Sequence, residues 1–391
     1  MKAVFSGATF FRKGKFEQGG ELIANTTSFD SLFIDSTKYF IFPGFADLHV
    51  HFREPGFSYK ETILTGNNAA KHAGYTTVCT MPNLNPVPDC LENLQLQLEL
   101  IRKEADIKIL PFGSITKGES GRELSDLEAM APFVCGYSDD GRGVDDNGIM
   151  REAMQRAKAL DKLISAHCED GTQIKDSPEA EWKQIERDIK LVDEIKCKYH
   201  VCHISTKESV SLIRDAKKSG VNITCETAPH YLTLSQKNIK DEGGFRMNPP
   251  LREEADRLAL VEGICDGAID MIATDHAPHS AEEKSKGLKS LNGIVGLETA
   301  FPILYTSLVK SGVISLERLV ELMSINPYNR LGIEPNGYTI YSLDDEYIID
   351  PSSFKTMGRS TPYSGVKVNG RCLATVCDGK LVYIDDKLIR K

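Results

Sequence analysis

The sequence predicts an α/β protein: a (β/α)₈ barrel of the TIM type with a small β domain built from both termini. Three observations lead to this prediction. Short apolar or β-branched segments alternate with longer segments of helical spacing through the middle of the chain. Roughly eight such strand–helix units occupy about 290 residues, the size of this barrel. The two ends of the chain contain short β-like segments separated by turn pairs instead.

The predicted barrel strands are short, apolar and rich in β-branched residues, as expected for strands that are buried on both faces. In chain order they are Phe45–His51, Thr76–Met81, Ile107–Phe112, Phe133–Tyr137, Lys162–Ala166, Tyr199–His203, Asn222–Cys225 and Ile269–Thr274.

The predicted helices lie between and after these strands and have apolar residues at helical spacing. They are Tyr59–Ala73, Leu91–Glu104, Gly148–Leu160, Ala180–Lys196, Lys207–Lys218, Glu253–Cys265, Leu297–Lys310 and Ser315–Met323. A doubly wound parallel sheet is the alternative architecture, but no glycine-rich phosphate loop follows the first strand.

The ends of the chain are expected to form one small β domain from residues 1–43 and 338–391, with residues 44–337 as the barrel. The turn pairs Asn369-Gly370 and Asp378-Gly379 separate candidate strands near the C-terminus. The β-like segments of both ends are Lys2–Phe11, Leu32–Ile34, Tyr39–Phe42, Tyr338–Tyr341, Val366–Val368, Leu373–Cys377 and Lys380–Ile384.

The composition excludes several classes of protein. Hydrophobic residues make up 41% and charged residues 26% of the chain, the ordinary globular balance. A net charge of −9 gives no basic face for nucleic acid. No apolar run approaches the roughly 20 residues of a membrane helix, and Ala3–Phe11 is interrupted by polar residues, which favours a strand over a secretion signal. The ten cysteines are scattered without a CxxC pair, which favours free thiols in a reducing cytoplasm.

Four polar side chains alternate with apolar ones along the first predicted barrel strand: Asp47, His49, His51 and Arg53. Alternate residues of a strand face the same side, so these four share one face. Burying them is costly unless something satisfies them. Two imidazoles two residues apart at a strand end can bind one metal ion. A pair of surface histidines is the alternative that this pattern alone leaves open.

Four further residues with metal-binding side chains end other predicted strands: Asp140, His167, His203 and Asp275. The carboxyl ends of barrel strands converge on one mouth, where active sites are built. Together with His49 and His51 they would make a nitrogen and oxygen site suited to Zn²⁺ or a similar divalent ion. The alternative is that each residue has a separate capping or core role.

The remaining histidines are expected to lie outside this set. His200 is out of phase with His203 on the same strand, so we expect it to face a helix and to be structural. His72 is on a predicted helix and is expected to be solvated. For His230 and His276 packing is favoured, and a role in supporting the ligands stays open.

With these motifs the sequence resembles the amidohydrolase superfamily and, within it, the class I bacterial dihydroorotase family. The match covers nearly the whole chain. The pattern His49-x-His51 marks only the superfamily. Four features together are specific to the dihydroorotase branch: Arg53, the motif that ends at Asn83, Asp-Asp-Gly at residues 139–141, and the run Thr274–His279. The matching segments are Pro43–Gly56, Thr80–Asn83, Ser138–Gly141, Ala166–Glu169, Tyr199–Thr206, Met247–Arg252 and Ala273–His279.

The resemblance implies a role for each matched residue. It implies that His49, His51 and Asp275 hold one metal ion, and that Asp140 bridges to a second ion. His167 and His203 would hold that second ion. It therefore implies one or two Zn²⁺ or other divalent ions per chain, with Asp140 in the place that a carbamylated lysine has in many relatives. Lys117, the nearest lysine, lies in a Thr-Lys-Gly turn and is rejected for that place. The implied substrate-binding residues are Arg53, Asn83, Asn248 and His279, with the backbone of Asn292 and Gly293.

Members of the family that this chain resembles interconvert N-carbamoyl-L-aspartate and L-dihydroorotate in pyrimidine biosynthesis. The resemblance implies that Asp275 is the general base and that Arg53 binds the substrate carboxylate. Another cyclic amidohydrolase, a hydantoinase or allantoinase, is the rival enzyme, although such enzymes usually carry the bridging lysine. An inactive paralogue that supports aspartate transcarbamoylase is the rival from another class. The expected partner is a small-molecule substrate; a homodimer and a complex with aspartate transcarbamoylase are compatible with the resemblance.

Overall fold

The computed structural model describes residues 1–389, so the last two residues of the predicted range 338–391 lie outside the described residues. The strands of this part of the chain are β1 (Lys2–Ser6), β2 (Thr9–Arg12), β3 (Lys15–Gln18), β4 (Glu21–Asn25), β5 (Ser31–Asp35), β6 (Phe40–Pro43), β7 (Phe45–Val50), β8 (Tyr75–Thr80), β9 (Lys108–Ser114), β10 (Gly136–Ser138), β11 (Leu163–Ala166), β12 (Lys198–Val201), β13 (Ile223–Thr227), β14 (Met271–Ile272), β15 (Gly337–Ile348), β16 (Lys367–Cys377) and β17 (Lys380–Ile384).

The α-helices are α1 (Ile63–His72), α2 (Leu91–Glu104), α3 (Leu127–Met130), α4 (Asn147–Ala159), α5 (Pro178–Ile195), α6 (Lys207–Lys218), α7 (Pro229–Thr233), α8 (Glu254–Asp266), α9 (Ala300–Leu304), α10 (Leu316–Val320), α11 (Asn326–Leu331) and α12 (Asp386–Ile389). Among the described residues, none of these helices combines the length and apolar character that crossing a membrane requires.

Strands β7–β14 form a parallel sheet in which spatial order follows chain order. A backbone bridge between Val50 and His276 joins its two edges, and Thr274 donates to the Asp47 carboxylate across the same seam. Helices follow the strands on the outside, α1 after β7 and α2 after β8. The predicted (β/α)₈ barrel is therefore confirmed, and the doubly wound alternative is wrong because its strand order would reverse within the sheet.

A second sheet combines strands from both ends of the chain, in the order β3-β2-β6-β15-β16-β17-β4-β1-β5. Strand β6 pairs with β15 and leads through Gly44 directly into β7. An aromatic cluster joins this sheet to the barrel: Phe42 stacks on Phe45, and Phe301 packs against both Phe45 and Tyr341. Each fully buried ring of this kind contributes about 1.5–3 kcal/mol. The domain boundaries after residues 43 and 337 stay a prediction.

The two predicted turns near the C-terminus have different outcomes. Asp378-Gly379 is the turn between β16 and β17, as predicted. Asn369-Gly370 is not a turn, because it lies inside β16. There β15 bulges between Ser342 and Glu346, and the positive φ of Gly370, +92°, accommodates the irregular pairing.

Other strands predicted from the sequence differ from those of the structure. The segment Lys2–Phe11 is two strands, because Gly7 turns the chain with φ +84° and a Cβ there would lie 2.7 Å from Thr37. Strands β3 and β4 were not predicted: three of the four β3 residues are exposed and polar, and only Leu22 and Ala24 of β4 are buried. Most of Phe133–Tyr137 is not strand either: a 3₁₀ turn with Pro132 precedes β10.

Candidate active site

The six predicted metal ligands lie at or just beyond the carboxyl ends of barrel strands. His49 is the penultimate residue of β7, and His51 follows the strand directly. Asp140 comes two residues after β10, His167 one residue after β11 and His203 two residues after β12. Asp275 follows β14 by three residues. The structure therefore brings all six to one mouth of the barrel, although they come from five different strands.

Two histidines and two aspartates form the first half of the cluster. The His49 Nε2 atom lies 3.3 Å from Asp140 Oδ1 and 3.6 Å from Asp275 Oδ1. The His51 Nε2 atom lies 3.1 Å from Asp275 Oδ1 and 3.5 Å from Asp140 Oδ2. Both imidazoles thus direct their Nε2 atoms towards the carboxylates of Asp140 and Asp275.

The second half joins the first through Asp140. His167 Nδ1 lies 3.0 Å from His203 Nε2, and these nitrogens lie 3.8 Å and 3.6 Å from Asp140 Oδ1. Two nitrogen ligands of one tetrahedral zinc ion are separated by about 3.3 Å. The spacing of the two histidines therefore suits one shared ion, with Asp140 between the two halves.

Unsatisfied buried atoms show that the cluster fits a cation. His49 Nε2 and Asp140 Oδ1 are buried without a hydrogen-bond partner. Ligand atoms of His49, His51 and Asp140 lie within 4.8 Å of one another, as do those of Asp140, His167 and His203. Imidazole nitrogens and carboxylate oxygens suit zinc and related divalent ions, and an unpartnered buried acceptor is costly without one. The residues present therefore fit one or two divalent ions.

The electrostatics of the protein alone lead to the same conclusion. Burial opposes charge on His49, but the neighbouring Asp140 outweighs it and raises the pKa of His49 well above its ordinary value. Burial also opposes charge on Asp140, yet His49 and His203 hold the pKa of Asp140 well below its usual range. Burial is likewise outweighed at Asp275, whose pKa is lowered to about 2 chiefly by the hydrogen bond with His51. The site therefore favours positive charge next to its carboxylates.

Glu226, on β13, is a supporting residue that the sequence reasoning missed. Its carboxylate accepts from His49 Nδ1 at 2.9 Å and from His200 Nε2 at 3.0 Å. Burial raises the pKa of Glu226, but these two hydrogen bonds lower it to about 2, so the group is ionised and only accepts. One N–H of His49 is thereby assigned to Nδ1, and Nε2 is the nitrogen that faces the cluster.

The expectation that His200 faces a helix is wrong. His200 lies inside the barrel and bonds Thr224 and Glu226 on the neighbouring strand, whereas Tyr199 points outward to Asp188 of α5. The phase argument failed because β12 ends at Val201. His203 lies beyond it with φ +31°, where strand alternation no longer applies.

His72 and His276 have polar partners, whereas the buried Nε2 of His230 has no hydrogen-bond partner among the described residues. His72 is half-buried and pairs with Glu298 at 2.6 Å, so the expectation that it is solvated is wrong. His276 accepts from Gly296 N through Nδ1 and lies 3.4 Å from Glu61 through Nε2. His230 is buried, and burial lowers its pKa to about 4. Lys117 is exposed and pairs with Glu123, in agreement with its rejection as a bridging residue.

A cavity of about 330 Å³ opens over the cluster. Five of the six predicted ligands line it, and His49 lies behind them. The lining also contains every residue predicted to bind substrate: Arg53, Asn83, Asn248, His279, Asn292 and Gly293. The metal cluster and the proposed substrate contacts therefore share one space.

Arg53 is one of two cationic residues in the described lining of the cavity, and Lys175 is the other. Arg53 has φ +47°, a conformation that costs a non-glycine residue about 1–3 kcal/mol. Its Nε donates to Pro278 O at 3.3 Å. Asp275 and His203 also have positive φ values, so left-handed backbone recurs among the residues around this cavity.

The two asparagines are held by their neighbours. Asn83 Nδ2 donates to Asp140 O at 2.7 Å and to Glu119, which leaves its buried Oδ1 without a partner. Asn248 Nδ2 lies 3.4 Å from His167 Nε2. Asn83 thus offers an acceptor towards the cavity.

His279 and the loop at Asn292-Gly293 form another part of the cavity wall. Burial and the charges of Arg53 and Lys60 lower the pKa of His279 to about 4, so its ring is neutral. Its Nε2 donates to Asn292 O at 2.7 Å. Gly293 has φ +129°, and a Cβ there would lie 2.6 Å from Ala277 O, so only glycine fits this wall.

Comparison with solved structures supports the fold. An L-hydantoinase (dihydropyrimidinase) from Arthrobacter aurescens superposes with a TM-score of 0.86 at 23% identity, covering 98% of this chain and 96% of that chain. A dihydropyrimidinase from Brevibacillus agri NCHU1002 also gives 0.86, at 21% identity over 100% and 96% of the chains. The barrel and its histidine–aspartate cluster define a class of (β/α)₈ proteins with a candidate divalent-metal site at the mouth of the barrel.

Comparison of the sequence with a family model and with known relatives identifies one family within this class. A Dihydro-orotase-like family model matches residues 38–209. A dihydroorotase from Fusobacterium nucleatum is 47% identical over 97% of this chain and 95% of its own length. One from Bacillus cereus (strain B4264) is 43% identical over 92% and 90%. The chain belongs to the dihydroorotase family.

Proposed function

We propose that this protein is a zinc-dependent dihydroorotase that interconverts N-carbamoyl-L-aspartate and L-dihydroorotate, a reaction of pyrimidine biosynthesis. The observation that carries the proposal is the joint cavity: a histidine–aspartate cluster faces an arginine and two asparagines across about 330 Å³. Such a space matches a small anionic ring with one amide bond to be opened or closed. The 47% identity to a dihydroorotase over nearly the whole chain supports the substrate.

The metal set in this proposal is His49, His51 and Asp275 for one ion, and His167 and His203 for the other, with Asp140 between them. Divalent ions held there would polarise the amide carbonyl and lower the pKa of water from 15.7 towards about 7. Zn²⁺ is the proposed ion because four of the six donors are imidazoles. Glu226 and Glu169 support this set by accepting from the outer nitrogens of His49 and His167.

Arg53 is proposed to bind the substrate carboxylate. Its half-buried side chain offers a planar guanidinium fork for two parallel hydrogen bonds. The chain has a net charge of −9, which repels an anion at long range, so the local charge of this residue matters for binding. Asn83 is proposed to accept from a ring N–H through its unpartnered Oδ1, and Asn248 adds a second amide to the same cavity lining.

Asp275 is proposed to be the general base. In ring opening its carboxylate takes a proton from the attacking water and passes it to the leaving ring nitrogen. In ring closure it removes the proton from that nitrogen and returns it to the oxygen that leaves the carboxyl carbon, so that water is released. Its position supports this role, since it lies in the cavity wall 3.1 Å from His51 Nε2 and within the same space as Arg53.

The test is a metal-dependent assay. The purified protein is stripped with a chelator, its metal content is measured by elemental analysis, and Zn²⁺ or another divalent ion is added back. We expect dihydroorotate turnover to disappear and return with the metal. Hydantoin and allantoin are assayed beside it, and faster turnover of either would replace the proposal with the rival cyclic amidohydrolase. No turnover of any of the three by the reloaded enzyme would favour the inactive paralogue.

Three further expectations belong to this proposal: a cytoplasmic location, a homodimer and a complex with aspartate transcarbamoylase. The absence of a membrane-crossing helix among the described residues agrees with a protein acting on a small molecule in solution. Light scattering of the protein alone, and again with aspartate transcarbamoylase added, measures both assemblies. A monomeric mass of the protein alone would exclude the homodimer, and a mixture that shows only the separate masses of the two proteins would exclude the complex.

A further inference from the structure

A buried lysine stands behind the substrate cavity and has no role in the mechanism above. Lys284 is 6% exposed. Its Nζ donates to three backbone carbonyls: Arg246 O at 3.0 Å, Leu291 O at 2.7 Å and Gly293 O at 2.7 Å. An ammonium has three donors, so every one of them is used.

These three carbonyls belong to two chain segments that line the cavity. Arg246 lies two residues before Asn248, and Leu291 and Gly293 flank Asn292. Gly293 N also donates to Arg246 O, so the two segments meet at the lysine. Residues 291–293 and Asn248 are all part of the cavity lining, whereas Lys284 itself is not.

The charges around Lys284 do not explain its burial as an ion pair. The adjacent Glu283 pairs with Lys60 at 3.0 Å and accepts from Ser280 N, and Arg246 is a like charge on the other segment. The carboxylate of Asp241 contacts the loop that contains Lys284, but it accepts from Leu288 N. The ammonium is therefore solvated by peptide carbonyls alone, an arrangement whose effect is to hold those peptides in place.

We propose that Lys284 is a positioning residue for substrate binding: its ammonium fixes segments 246–248 and 291–293, so that Asn248, Asn292 and Gly293 keep their places in the wall of the substrate cavity. The inference rests on the proposed function for the identity of that substrate. Burial, with Arg246 adding to it, lowers the pKa of Lys284 to about 8. A neutral amine has only two N–H groups, so loss of the proton breaks one of the three bonds.

The first test compares Lys284→Met with Lys286→Met, which removes the same charge from an exposed residue of the same loop. In Lys284→Met we expect KM for dihydroorotate to rise about 10- to 100-fold, the range for hydrogen bonds to a charged group. We expect kcat and metal content to stay near the wild-type values. Lys286→Met should change neither. A KM within about twofold of wild type in Lys284→Met, with metal retained, would overturn the proposal.

A second variant keeps the test decisive if Lys284→Met does not fold. Lys284→Arg keeps a charge that no accessible pH removes. Wild-type KM should rise above about pH 8, where Lys284 loses its proton, and Lys284→Arg should lack that rise. Identical pH profiles would contradict the proposal.

Failure of the proposed function would appear differently. If the reloaded wild-type enzyme does not turn over dihydroorotate, hydrogen exchange of the holoenzyme still reads the positioning directly. The amide of Gly293, which donates to Arg246 O, should exchange faster in Lys284→Met than in Lys286→Met. Equal exchange rates of the Gly293 amide in the two variants would contradict the inference about Lys284. This outcome does not depend on which substrate the enzyme turns over.

Discussion

Replacing Glu226 by glutamine should weaken metal binding without touching any metal ligand. The substitution keeps the shape of the side chain but turns one carboxylate oxygen into an N–H donor. Two imidazole N–H groups now compete for one acceptor, because His49 and His200 both donate to Glu226. When the amide nitrogen faces His49, that ring must move its proton to Nε2, the atom that faces Asp140.

The magnitude follows from this geometry. A lost carboxylate partner behind a metal-bound histidine typically reduces metal affinity about 10- to 100-fold. That corresponds to about 1.4–2.8 kcal/mol, within the range of about 1.5–3 kcal/mol for one hydrogen bond to a charged group. Turnover at saturating metal should recover more of the wild-type value than turnover at limiting metal.

The assay is a competition between the protein and a chelator of known affinity, followed by elemental analysis. Asp270→Asn is the matched control, because Asp270 is a carboxylate at the opposite end of the neighbouring strand. It accepts from Cys225 N and pairs with Lys217 of α6, and neither partner is a candidate metal ligand. Glu226→Gln with metal affinity within about twofold of Asp270→Asn would refute the argument.

Three other substitutions test the site. Asp275→Asn should lower kcat at matched metal content by about 10²- to 10⁴-fold with little change in KM, because a base acts in the transition state; steady-state kinetics with a near-native kcat would exclude Asp275 as the base. Arg53→Lys should raise KM about tenfold or more at unchanged metal content, because the planar fork is lost; an unchanged KM would remove its role. His230→Gln tests the pH dependence of folding. The pKa of His230 in the folded protein is about 4, below the ordinary value of 6.5. The unfolded chain therefore binds the proton first, and the free energy of unfolding falls as pH drops from 6.5 towards 4. Urea unfolding should show a loss between pH 7 and pH 5 that is about 2 kcal/mol smaller in the variant, and equal losses would contradict the burial argument.

The sequence by itself was enough for the barrel and for the candidate cluster, because both depend on local patterns. Each strand is a short apolar run, and each candidate ligand follows such a run within a few residues, as His167 follows Leu163–Ala166. Parallel strands in chain order then bring those ends together without any knowledge of individual contacts. Strands β3 and β4 were missed because they bury few apolar residues of their own and are held by pairing with β2 and β1.

Only the tertiary structure decided which groups support the site. Glu226 meets His49 across 177 residues, and Lys284 joins a segment 38 residues before it to one 9 residues after it. His200 faces inward and His203 has left-handed backbone because β12 ends earlier than its composition indicates. These features depend on side-chain directions and on distances between remote segments, which hydrophobic periodicity does not encode. Residue types at strand ends are a property of the chain, whereas the partner that orients each of them is a property of the fold.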